Sequence, residues 1–254
     1  MDLEINLLDA TGRGFKSETL ALSPAAGKVA SECLNQIEAA IGRRIKIWIE
    51  CQPGRNGACV GVHSPFGELG IVISVASFSR LKERADLFVP HELAHMAILA
   101  GGVKNIRQIN DTAAEKNAAI IDIADHPYIW RLFQKYGVLW NTPTPEDIEE
   151  IFSDSNAVSR TALFRQEPHF SVKRYADYQF ACPDFYQNLK TRLNTVAKGK
   201  RIINLLEEIE TVRAEAGDIF TIDGVKQVRR RLIQKWQHQC LFVDHFAKPE
   251  NAQT

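Results

Sequence analysis

The run VPHELAHMAILAGG holds the residues best suited to chemistry: His91, Glu92 and His95. Residues four apart on an α-helix lie on one face, one turn above the other, so both imidazoles can reach a single metal ion. Zinc accepts such nitrogens at about 2.0–2.1 Å, and a catalytic zinc keeps three protein ligands and one position for water. A carboxylate next to the first histidine can take a proton from that water and pass it to a leaving amine, which makes Glu92 the candidate general base. The chemistry expected is hydrolysis of a peptide or amide bond, with Zn2+ as the cofactor.

A third metal ligand is required, and His126 is the first candidate, with Glu115 and Asp122 as alternatives. The three fall on one stripe of a downstream helix, but Glu115 and His126 are about 16 Å apart at 1.5 Å rise per residue, so only one end can reach the metal. If His126 binds, Asp122 one turn earlier is placed to orient a ligand imidazole. Each has a plainer explanation as well. Glu115 completes a capping box with Thr112, and His126 suits a helix C-terminus. Tyr128, His169, Tyr175 and Tyr178 are chemically able to steady an oxyanion, but no spacing selects among them.

HELAH after a three-strand segment, followed by a second helix with acidic and histidine side chains, resembles the zincin metallopeptidases over roughly residues 27 to 135. The resemblance implies a helix over a small sheet, a cleft below the edge strand, and a substrate peptide extended along that edge, with strands at 58 to 63 and 71 to 76 as the wall. Glu115, twenty residues beyond His95, is similar to the glutamate ligand of the gluzincin group, though Ala119 stands where that group usually has an acid. IIDIADHP resembles instead a segment of little-characterised bacterial HExxH proteins.

The elements that must position these residues follow from periodicity. Val29, Cys33, Ile37 and Ala40 predict an amphipathic helix from Ala25 to about Ile41. RIKIWIE (44 to 50) alternates as a half-buried strand, ACVGVHS follows as a second and IVISVAS as a more buried third, which implies an antiparallel or mixed sheet. Ser79 to Phe88 is helical. Pro90 is expected to open a new helix that runs to about Ala100 and stops at Gly101 and Gly102. A helix from Thr112 to Ala124, a turn at HPYIW, and a further helix to Gly137 come next, and Thr144 and Pro145 mark another start. Residues 1 to 25 carry no clear assignment.

The fold class expected is α+β: a small antiparallel or mixed sheet packed on the HExxH helix, then a helix-rich C-terminal region. Length suggests a catalytic domain over 1 to 140 and a helical region over 141 to 254.

Lys plus Arg (31) balance Asp plus Glu (31), so overall charge makes no case for nucleic-acid or membrane binding. No signal peptide or membrane span is apparent, and a cytoplasmic protein acting on a peptide or protein substrate is expected. Five scattered cysteines without a CxxC pair argue against a thiolate zinc site. Residues 187 to 235 carry eleven Lys and Arg against six Asp and Glu. That basic region supports an alternative, a non-catalytic zincin-like binding or regulatory protein, although a purely structural zinc site has no need of Glu92.

Overall fold

The computed structural model describes residues 1–9, 14–52, 59–63, 70–108, 114–140, 168–195 and 199–243. They form an α+β fold with a helix-rich C-terminal region. Two compact units are present. Among the described residues the first comprises Met1–Asn105 with Leu132–Leu139, and the second Ile106–Arg131 with Trp140–Val243.

The first unit opens with a hairpin that the sequence reading left unassigned. Strand β1 (Asp2–Leu8) pairs antiparallel with β2 (Phe15–Ala21). Leu3 and Ile5 alternate inward on β1, but β2 buries only Leu20, so it carries almost no apolar period. Helix α1 (Pro24–Ile41) follows, capped by the Ser23 hydroxyl, which accepts from the Ala26 amide.

Strands β3 (Lys46–Cys51), β4 (Cys59–His63) and β5 (Gly70–Val75) complete a five-stranded mixed sheet in the order β2-β1-β3-β5-β4. β3 runs parallel to both β1 and β5, and β4 forms an antiparallel edge on β5. Flanked on both sides, β3 buries Trp48 as completely as Ile49, so it is covered on two faces rather than half-buried.

Helix α2 (Phe78–Glu83) leads into α3 (Ala85–Ala100), which packs against α1 and touches β4. Pro90 lies inside α3 and does not begin it. Apolar anchorage on both sides of the proline, by Ala85 and Val89 before it and Leu93 after it, carries the helix through the lost amide bond. The helix ends as its glycines predict. Gly102 takes φ 85°, its amide donates to the Leu99 carbonyl, and the Val103 amide donates to that of Ile98.

The second unit is built on α4 (Ala114–Tyr136) as far as Arg131, with α5 (Pro168–Ala181), α6 (Pro183–Asn194), α7 (Gly199–Glu215) and α8 (Ile222–Lys235). Strands β6 (Asn105–Gln108) and β7 (Cys240–Val243) form a small separate sheet.

The turn expected at His126-Pro127 is absent, and α4 is continuous through Pro127. A proline has no amide hydrogen, so the carbonyl four residues earlier, that of Ile123, loses its helical donor. The Arg213 guanidinium replaces it, with Nη2 2.8 Å from that oxygen. The expected capping residue Thr112, the Glu115 side chain and the helix start at Thr144 and Pro145 lie outside the described residues.

Candidate metal centre

Helix α3 is buried over most of its circumference, because apolar residues recur on every side of it. Phe88, His91 and His95, spaced three and four apart, form a stripe that stays only half-buried. His91 and His95 are therefore the polar groups this helix presents along its open side. Their rings meet edge to face with centroids 4.7 Å apart. Glu92 faces inward, 7% exposed, and its Oε1 lies 3.2 Å from His91 Nδ1. A carboxylate at Nδ1 holds the proton on that nitrogen and leaves the Nε2 lone pair as the one a metal could take.

His126 is held by a different kind of scaffold. Its Nδ1 donates to Asp177 Oδ2 on α5 at 2.7 Å, so Nε2 is again the nitrogen left for a metal. Asp122, one turn before it, places Oδ1 3.8 Å from that Nε2. The other Asp122 oxygen accepts from Lys173 Nζ at 2.5 Å. The Trp140 ring closes against the His126 ring at 5.5 Å.

Burial pushes the His126 pKa down, but the carboxylates of Asp177, Asp122 and Asp125 outweigh it and raise the imidazole to about 9. A metal ion binding at Nε2 would have to displace any proton held there.

Two arginines lock the surrounding helices. Arg213 joins the Ile123 carbonyl of α4 to the Ala176 carbonyl and Gln179 side chain of α5, which sets Asp177 in register with His126. Arg229 of α8 grips Asp125 through both carboxylate oxygens, at 2.6 and 2.8 Å, with both side chains inside the core.

One nitrogen from each of His91, His95 and His126 lies within 4.8 Å of the other two, close enough to hold a metal ion. Two nitrogens bound to one tetrahedral zinc stand about 3.4 Å apart at the usual bond length, so the three would have to draw closer to share an ion. An all-imidazole donor set suits zinc among the common divalent ions, although copper, nickel and iron also accept it. Of the alternative third ligands, Asp122 is engaged with Lys173 beside His126, and the Glu115 side chain lies outside the described residues.

Tyr175 meets Tyr178 at a tilt and Tyr178 meets Phe185 edge to face in the second unit, as core aromatics. Tyr128 is half-buried on α4, and the His169 side chain lies outside the described residues. The sequence reading missed Asp177, Lys173, Arg213 and Arg229 as supports of the site. Their partners are 51, 90 and 104 residues away, beyond any local spacing rule. Compared with protein-family models, with curated proteins and with solved structures, the chain has no match.

Proposed function

We propose that the chain is a zinc-dependent metallopeptidase that hydrolyses peptide or amide bonds of a peptide or protein substrate, with His91, His95 and His126 as metal ligands and Glu92 as general base. The observation that carries this reading is the approach of three imidazole nitrogens to within 4.8 Å of one another, with a buried carboxylate adjoining the first. A bound zinc would supply Lewis acidity, lowering the pKa of its water toward 7 and polarising the scissile carbonyl.

The protein's own groups do the rest. For Glu92 to take the proton from the attacking water and deliver it to the departing amine, its carboxylate must turn from His91 Nδ1, where it lies, to the Nε2 side of the ring. Asp177 keeps the His126 ring oriented through its Nδ1. Strand β4 lies at the sheet edge against α3, where an extended peptide can add as a further strand. Within the basic region, Arg213 and Arg229 are buried in internal bonds.

No described helix is long and apolar enough to cross a membrane. The test compares metal content and cleavage of a peptide library by wild type and Glu92→Gln. Equal zinc with hydrolysis lowered about 10²–10⁴-fold is expected from removal of a general base. Undiminished cleavage by Glu92→Gln rules the mechanism out.

A further inference from the structure

Helices α4 and α5 are joined by two polar rungs, each contributed by residues one turn apart. Asp122 and His126 lie on α4, and Lys173 and Asp177 on α5. Asp122 pairs with Lys173 at 2.5 Å and His126 with Asp177 at 2.7 Å. The charges alternate along and across this ladder, so each rung stabilises the other. The His126 rung has an evident purpose in the centre described above, and the Asp122 rung does not.

The position of Asp122 makes it consequential. Its Oδ1 is 3.8 Å from His126 Nε2, the nitrogen left for the metal. Two donors on one tetrahedral ion stand about 3.4 Å apart, and Oδ1 is near that spacing from His126 Nε2, yet Asp122 stays outside the three side chains whose donor atoms lie within 4.8 Å of one another. A fourth protein ligand would convert an open catalytic site into a closed structural one. The attraction of a dication for a neighbouring carboxylate is strong, and something must oppose it.

We propose that Lys173 is a positioning residue that holds Asp122 off the metal and thereby keeps the water position open. The proposal rests on the metal-centre reading given above. The Lys173 ammonium occupies Oδ2, and its anchorage on the same helix as Asp177 fixes it relative to His126. Removing the ammonium lets the Asp122 side chain turn its carboxylate onto the ion, with no change in the histidines.

The test loads the full chain with Co2+, whose visible absorption reports coordination, and measures affinity by chelator competition. Lys173→Met is expected to bind Co2+ about tenfold more tightly, the scale of effects seen when groups around ligands are changed, with an altered spectrum and lost hydrolysis. Adding Asp122→Asn to that variant should return the spectrum and affinity to wild type. Lys173→Arg, which retains the cation, should match wild-type affinity and spectrum. Asp122→Asn alone should leave the Co2+ spectrum unchanged, because the carboxylate is not a ligand while Lys173 is present.

An unchanged spectrum and affinity in folded Lys173→Met overturns the proposal, as does failure of the double variant to revert. A changed Co2+ spectrum in Asp122→Asn alone also overturns it, and this arm decides the matter if Lys173→Met does not fold. Wild-type protein that takes up no Co2+ contradicts the metal-centre reading itself, an outcome distinct from Co2+ binding that is indifferent to Lys173.

Discussion

The two helices that carry the histidines are held in place by opposite means. α3 is wrapped in apolar side chains, among them Val89, Leu93, Ala97 and Ile98, and its polar groups of interest are His91, Glu92 and His95. α4 and its neighbours instead bury charge: Asp125 with Arg229, Asp177 with His126, and Arg213 on the Ile123 carbonyl. Apolar packing is non-directional and tolerates small shifts, and it suits a pair of candidate ligands whose relative position one helix already fixes. A single candidate ligand on a separate helix has no such internal ruler. Directional hydrogen bonds between helices are a means of fixing its place, at the cost of desolvating several charges.

The sharpest way to break this contrast is to remove one member of a buried pair on the polar side. Arg229→Ala strips the fully buried Asp125 carboxylate of its guanidinium and is expected to destabilise by about 3–5 kcal/mol in denaturant unfolding. A loss under 1 kcal/mol would mean that the pair is not what holds α8 to α4. The matching change on the apolar side, Leu93→Ala at a fully buried position, should cost about 3 kcal/mol through lost burial and a residual cavity. It should leave metal affinity less affected than changes around His126, because the spacing of His91 and His95 is internal to α3.

Asp177→Asn sharpens the comparison from the site itself. It keeps the shape but weakens the orienting bond to His126, and metal affinity should fall about 10–100-fold. Chelator competition measures this directly. The equivalent charge loss on α3, Glu92→Gln, should change metal affinity less, since the helix itself holds His91 in place.

These expectations also explain what was legible in the chain. His91 and His95 declare themselves because a four-residue spacing and a helix are both local facts, and the burial of Val29, Cys33 and Ile37 follows a local period in the same way. The β1–β2 hairpin was not legible, because β2 turns one buried side chain inward and the rest outward. Pro90 and Pro127 each signal a helix boundary on local chemistry, yet both lie inside helices. At Pro127 the decisive donor, Arg213, lies 90 residues from the carbonyl it rescues. His126 was nameable as one candidate among three, but Asp177, which singles out its Nε2, has no sequence signature.

The smallest expected effect concerns the tail of α4, which belongs to the first unit. Glu32 on α1 accepts from Lys135 and from the Tyr136 hydroxyl. Partial burial raises the Glu32 pKa, but these two donors outweigh it and hold the carboxyl below its ordinary value. A depressed folded pKa gives stability that is present above the unfolded value, near 4.5, and lost as pH falls through the folded one. Glu32→Gln should therefore lower stability by no more than about 1 kcal/mol at pH 7, with the difference from wild type shrinking in acid. A difference that grows on acidification would reverse the assigned sign.

The most direct test of the central claim is zinc K-edge X-ray absorption on the full chain after zinc loading. Three imidazole nitrogens at about 2.0–2.1 Å with one additional oxygen are expected, and His126→Ala should remove one nitrogen from that shell. A shell containing sulfur, or one that His126→Ala leaves unaltered, would contradict the assignment of His91, His95 and His126 as the metal-binding set.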